Sequence, residues 1–366
     1  VTGTINNRIG FITLDRAKAL NALSLDMIRS LAQLLRDWQH DDDVVAVVIR
    51  ASTERAFCAG GDIRFFYQVG TARPAGGSAL LEDFFTEEYA LNHLIHHYSK
   101  PYIAFMDGIV MGGGMGVSQG GPQTRMRIVT DKTAMAMPEV HIGLFPDVGG
   151  SYFLSRTPGR LGDWLALTGQ TINAADALYA GLADVALPSS SLPELLSTLE
   201  SQPLASGADV MALIRAYATP YVAEFNPENS MLARNRAAID RHFAHGSMPA
   251  IVASLESDDG EFSQKTLASL NRGSPLLLCV TLEQLRRGAG MTVAECLRME
   301  RTMVRHSFEG KEVLEGIRAR VIEKDNAPQW SPATLNEVDT EQVAQFFSPV
   351  WPAYAHPLRE LQAGQD

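Results

Sequence analysis

The chain has 366 residues, 46% of them hydrophobic and 20% charged, which is enough apolar material for one large domain or two modest ones without disulfide support. Its formal charge of −11 argues against nucleic acid or an anionic membrane as the main partner, since both reward a concentrated basic surface, but it leaves room for a phosphorylated small molecule held by local cations. Three scattered cysteines, Cys58, Cys279 and Cys296, fit neither a disulfide framework nor a thiolate metal site; no segment reaches the roughly 20 uninterrupted apolar residues of a membrane span.

In chain order, residues 4–14 read as a hairpin turning at Asn6-Asn7. The spacing of Ile28, Leu31, Leu35 and Trp38 predicts a helix over 24–38, with Ser24 as N-cap and Asp26 in the first turn. Residues 44–50 (VVAVVIR), 102–106 and 126–130 read as buried strands, and 84–97 as a helix stopped by Lys100-Pro101. Strand, helix and strand joined by short links imply an α/β layer of crossover units. After about Ala186 the texture changes. Pro188, a run of serines and Pro193 mark a boundary, and amphipathic helical runs follow at 232–242, 276–287 and 293–305. The expected organisation is a core over 1–188 and a helical region over 189–366.

Three glycine-dense segments stand out: AFCAGGDI (56–63), GIVMGGGMG (108–116) and PEVHIGLFPDVGG (138–150). The first two each follow an expected strand and enter an expected helix, so each can present backbone N–H groups where the helix dipole favours negative charge. Two such donors converging on one oxygen make an oxyanion hole, in which losing one donor costs about 3 kcal/mol. The plainer reading is that these glycines only permit tight turns. The third segment carries Glu139 and Asp147 in an apolar stretch whose one other titratable group is His141. Carboxylates so placed are either functional or serve as local caps, because an unpaired buried charge is costly.

The order of LDRAKALNAL, AFCAGGDI, GIVMGGGMG, MPEVHIGLFPDVGG and LTGQTINAADALYAGLAD resembles the crotonase (enoyl-CoA hydratase/isomerase) superfamily. It is most similar to the subgroup that hydrolyses 3-hydroxyisobutyryl-CoA in valine breakdown, and HSFEGKEVLEGIRARVIEKDNAPQWSP (306–332) extends the likeness toward the C-terminus. The resemblance implies an α/β fold, a crotonase-like spiral of ββα units with a helical C-terminal region, and a homo-oligomer. It implies an acyl-CoA substrate whose thioester oxygen is held by the amides of Gly61 and Gly113. It implies no cofactor, coenzyme A being part of the substrate, and no metal, nucleic-acid or membrane partner. Hydratases of the superfamily carry a glutamate two residues after the triple glycine, where this chain has Gly116; hydratase activity is therefore expected to be poor or absent. Glu139 matches the other catalytic glutamate, and Asp147 stands where hydratases usually have glycine. Glu88, in TEEYALN, matches a position the subgroup uses at its substrate site.

On this reading Glu139 either attacks the thioester carbonyl or acts as general base toward water, and Asp147 either receives the acyl 3-hydroxyl or helps activate water. Glu88 and Gly60 line the same cavity, and Lys18, in the family's nucleotide-proximal loop 16–20, is either a cation for a phosphate or a solvated side chain. The chain starts at Val1 without an initiator methionine or a basic-then-apolar leader, leaving open a trimmed chain or a removed transit peptide. A cytoplasmic location is expected in a bacterium and the mitochondrial matrix in a eukaryote.

Competing signals are weaker. Gly116-Val117-Ser118-Gln119-Gly120 matches G-x-S-x-G, but the turn that motif needs is already occupied by glycines, which places Ser118 within the following helix. His93, His96 and His97 with Glu87 have spacings that could share a helix face and a metal. Cys58 has no identifiable histidine partner. A chain of this fold that has lost catalysis and serves as a binding module is the non-enzymatic alternative.

Overall fold

Strands β1 (Thr2–Asn6) and β2 (Ile9–Leu14) form the hairpin, but its turn lies one residue later than Asn6-Asn7. Asn7 and Arg8 take φ of 48° and 62°, the pair of left-handed residues that a tight two-residue hairpin loop requires. These positions come from a computed structural model, which describes residues 1–72 and 78–362. Ser24 caps α1 (Leu25–Gln39), its side chain accepting from Met27 N at 3.3 Å. The chain continues through β3 (Ala46–Ala51), β4 (Ala56–Cys58), α2 (Ile63–Ala72), α3 (Ala79–His96) and β5 (Tyr102–Met106). Then come β6 (Ile109–Met111), α4 (Gly113–Gly116), β7 (Arg125–Thr130), β8 (Ala134–Ala136), α5 (Gly150–Phe153) and β9 (Val185–Leu187). No strand follows Leu187 among the described residues, and of the later helices α6 (Pro275–Gly288) and α7 (Val293–Glu309) bear on the site. Helix α3 begins five residues before the expected 84, because Ser78 supplies a cap, its hydroxyl accepting from Leu81 N at 3.4 Å.

The strands alternate between two sheets. The larger has the order β1-β2-β3-β5-β7-β9, parallel except for the β1–β2 pair. The smaller, β4-β6-β8, is parallel throughout. Each of β3, β5 and β7 thus enters the larger sheet, and the strand after it enters the smaller one before the chain turns helical. This is the repeated ββα unit of the spiral. The three strands of the smaller sheet are three residues long each, too short for a periodic sequence signal, and only the larger sheet was legible in advance.

The described chain divides into two units, each made of separate stretches. The first comprises Val1–Gly61, Leu91–Ala136 and Thr171–Arg234 and contains both sheets. One face of the larger sheet, with Phe11, Val48, Ile103, Phe105 and Ile128, packs against Leu195 and Leu199 of the helix Leu192–Ser201 and Val210 and Ile214 of the helix Gly207–Ala218. Helix α1 packs on β2 so closely that a side chain at Gly10 would collide with the Trp38 ring. The second unit, Asp62–Ala90, Met137–Gln170 and Asn235–Asp366, is helical among its described residues. Phe66, Phe84, Phe85, Tyr89 and Phe308 form a chain of ring contacts there, with centroids 4.8–6.3 Å apart.

Candidate active site

Within the first unit the two glycine turns lie side by side, because the strands that lead into them, β4 and β6, are paired. Gly60, at φ 105°, is a conformation few other residues tolerate, and a side chain there would sit 3.8 Å from Gly113 N. Leu23 N donates to Gly60 O at 2.8 Å. Neither the Gly61 nor the Gly113 N–H finds a protein acceptor among the described residues. Two unengaged amides on adjacent turns are what an oxyanion site requires.

Loop 16–20 is fastened to the same turns. Buried Asn21 accepts from Arg16 N at 2.7 Å and donates to Ala56 O at 3.0 Å, while Ala59 N donates to Leu20 O at 3.0 Å. Lys18 is exposed on the 3₁₀ turn of this loop. Cys58 is fully buried with its Sγ 3.6 Å from Gly60 O, and Ser118 is fully buried just past the end of the four-residue helix α4, not within it, donating to Met115 O at 3.1 Å. Neither is placed as a nucleophile. No group of three His, Cys, Asp or Glu residues among those described could hold a metal ion.

The second unit brings the predicted acids together. Glu139 opens the 3₁₀ turn Glu139–Ile142, Asp147 precedes α5, and Glu88 lies on α3; their exposures are 6%, 5% and 2%. A fourth acid, Glu300 on α7, is fully buried. None of the four is paired with a cation among the described residues. Burial first, and then the Asp147 carboxylate, push the Glu139 carboxyl well above the usual range; Glu88 is raised by burial, Asp147 and Glu139. Asp147 is raised by burial to about 6, with the Tyr89 hydroxyl holding it back by donating to Oδ2 at 2.6 Å. Glu300 is pushed up by burial to about 8, against hydrogen bonds from Ser151 and Gly149.

These acids are not equally satisfied. Asp147 has Tyr89, and Glu300 has two backbone donors, but Glu139 Oε2 and Glu88 Oε1 are buried with no hydrogen-bond partner. An orphaned buried carboxylate oxygen costs about 1–3 kcal/mol or more, so two polar atoms of the site are held at a cost that the protein's own groups do not offset. Such an arrangement suits proton transfer or nucleophilic attack on a bound acyl group near neutral pH.

Sequence reasoning found Glu88, Glu139 and Asp147 but missed Tyr89, Gln284 and Glu300. Glu300 did leave a signal: it interrupts the apolar stripe of Cys296, Leu297, Met303 and Val304 on its helix.

A family model described as enoyl-CoA hydratase/isomerase matches residues 9–347. The chain is 40% identical over 341 residues to the mitochondrial 3-hydroxyisobutyryl-CoA hydrolase of Gallus gallus, covering 93% of this chain and 86% of that protein. It is 37% identical over 338 residues to the human protein of the same name, covering 92% and 86%. Among solved structures, a carnitinyl-CoA dehydratase from Mycobacterium thermoresistibile superposes with a TM-score of 0.87 at 38% identity, covering 96% of this chain and 97% of that one. An enoyl-CoA hydratase from Rhodobacter sphaeroides superposes with a TM-score of 0.84, also at 38% identity and the same coverage.

Proposed function

The chain belongs to the enoyl-CoA hydratase/isomerase family, and from that membership we propose that it is an acyl-CoA thioester hydrolase converting 3-hydroxyisobutyryl-CoA to the free acid and coenzyme A, a step of valine breakdown. The hydrolase names of relatives matching nine-tenths of the chain support this reading. The observation that carries it is the buried pair Glu139 and Asp147, one with an orphaned oxygen and the other held by Tyr89.

A thioester needs an oxyanion site, an attacking oxygen and a proton for the leaving thiolate. Gly61 and Gly113 donate to the thioester oxygen. Glu139 acts as its carboxylate, either attacking the carbonyl to give a mixed anhydride that water opens, or taking a proton from the attacking water. In both routes one water is consumed and the sulfur leaves protonated. A carboxyl raised by burial is a stronger base once ionised, which suits either role. Asp147 receives the 3-hydroxyl of the acyl group, Glu88 and Gly60 line the acyl cavity, and Lys18 meets a coenzyme phosphate. Coenzyme A enters as substrate, so no resident cofactor is required. The active form is a homo-oligomer, cytoplasmic in a bacterium and mitochondrial in a eukaryote as the vertebrate relatives are by name.

Water addition or removal at a double bond is the second reading, favoured by the two solved structures named as a dehydratase and a hydratase. Gly116 weighs against it: the position two residues after the triple glycine lies buried in α4 without a carboxylate.

The test is free-thiol release from a panel of acyl-CoAs, run beside loss of enoyl absorbance. Thiol release favouring the 3-hydroxy substrate is the expected result. Equal turnover with and without the 3-hydroxyl defeats the specificity, and enoyl hydration without thiol release defeats the hydrolase reading. Trapping with hydroxylamine at Glu139 separates the anhydride from the general-base route.

A further inference from the structure

Asp147 sits in a turn that should not be stable by itself. The next residue, Val148, has φ of 53°, a left-handed conformation that a β-branched side chain resists at a cost of about 1–3 kcal/mol. Gly149 follows at φ 89°, and the helix after it, α5, is only four residues long. Strain of this kind persists only where the surroundings over-determine it.

Two helices supply that determination. Ahead of Asp147, Gln284 Nε2 of α6 donates to Pro146 O at 2.6 Å and to Ser151 Oγ at 2.8 Å. Behind it, Glu300 of α7 accepts from Gly149 N at 2.8 Å through one oxygen and from Ser151 N at 2.9 Å through the other. Both side chains are fully buried. Gly288 lets α6 come this close, since a side chain there would collide with Ser151 O.

We propose that Glu300 is a positioning residue for the reaction, clamping the Pro146–Ser151 turn together with Gln284 so that Asp147 is held against the Tyr89 hydroxyl. This rests on the reading that Asp147 serves the hydrolysis. A capping role alone does not call for a charge, since a hydroxyl or amide can accept from a backbone N–H. A fully buried carboxylate without a cation, in the company of three other acids, is an expensive choice. What a carboxyl adds is two acceptor oxygens, one for each of two backbone N–H groups of the turn; it titrates at about 8, above Asp147 at about 6, and so acts on Asp147 by position. The titratable groups facing Asp147 are Glu88 and Tyr89 from α3, Glu139 from the 3₁₀ turn and Glu300 from α7; Gln284 from α6 is neutral.

The experiment compares Glu300→Gln and Gln284→Met with the unaltered enzyme by kcat, KM, melting temperature and the pH profile of kcat/KM. Glu300→Gln keeps the size and loses one of the two acceptor oxygens. Its kcat is expected to fall about 10- to 100-fold, the equivalent of one or two hydrogen bonds, with KM little changed. The acidic limb of its profile is expected to move to higher pH, because an unclamped Asp147 loses the Tyr89 hydrogen bond that holds its titration down. Gln284→Met removes the other half of the clamp and should lower kcat and move the limb the same way. Unaltered kcat and an unmoved limb in Glu300→Gln overturn the inference. So does a loss that tracks melting temperature with no movement of the limb. Glu139→Gln, assayed alongside, separates the two levels: if it retains full rate, the hydrolase mechanism fails, whatever Glu300 does.

Discussion

The Tyr89 hydroxyl donates to Asp147 Oδ2 at 2.6 Å across 58 positions of sequence, a buried bond between a helix and a strained turn. It stabilises the charged form of Asp147 and opposes the rise that burial imposes. Tyr89→Phe removes that support, so the Asp147 carboxyl should titrate higher. A hydrogen bond to a charged acceptor is worth about 1.5–3 kcal/mol, so the acidic limb of kcat/KM should move up by about one pH unit or more. An unmoved limb would show that Asp147 does not govern it.

Glu139→Gln should reduce thioester hydrolysis by about 10²- to 10⁴-fold while the protein stays folded. The amide matches the carboxylate in size and is spared the burial that raises the Glu139 carboxyl. The same raised titration predicts that the rate of the unaltered enzyme climbs as the pH rises into that range, since Glu139 must be ionised to act. Steady-state rates between pH 5 and pH 9 check both statements.

Asp147→Asn should make the protein less active and more stable. The folded-state titration of Asp147, about 6, lies above the unfolded value of 3.8. The folded state is therefore favoured below about 4 and loses ground as the pH rises through about 6, by about 3 kcal/mol once the group is fully ionised. The amide of the variant has no such loss and can still accept from Tyr89. Thermal unfolding at pH 4 and pH 8 should show a gain for the variant only at the higher pH; an equal gain at both would mean that ionisation is not its source.

Gly114→Ala should damage the oxyanion turn through sterics alone. Its new methyl group would collide with the backbone carbonyl oxygen of Cys58, which cannot swing aside as a side chain would. A cost of about 1–3 kcal/mol and a large loss of activity are expected. Gly290→Ala is the matched control, because nothing lies within 4 Å of the added methyl. Melting temperatures of the two variants that coincide would remove the steric explanation.

Much of the larger sheet could be read from the chain, since β5 and most of β3 are runs of buried apolar residues, β7 carries Met126, Ile128 and Val129, and α1 carries its N-cap and a clean helical stripe. The smaller sheet could not be read, because a three-residue strand has no period. The hairpin turn was misplaced by one residue because Asn-Asn is the more familiar turn pair, while the backbone assigns the left-handed places to Asn7 and Arg8. In the site, Glu139 and Asp147 were legible as charges stranded in an apolar loop. Glu300 showed only as a break in the apolar stripe of its helix; what it does was not legible, for its partners are backbone N–H groups that sequence cannot place. Nor could any local pattern indicate that Val148 would be forced into a left-handed turn, which only tertiary contacts sustain.

The clamp on that turn spans 151 positions, from Gly149 to Glu300. During synthesis the acids Glu88, Glu139 and Asp147 leave the ribosome long before the residue that completes their setting. Until α7 has emerged and docked, Val148 has every reason to relax, and a nascent chain can hold its strands in register without a finished active site. Competence is in this sense a late event in the life of each molecule, set by when α7 leaves the ribosome.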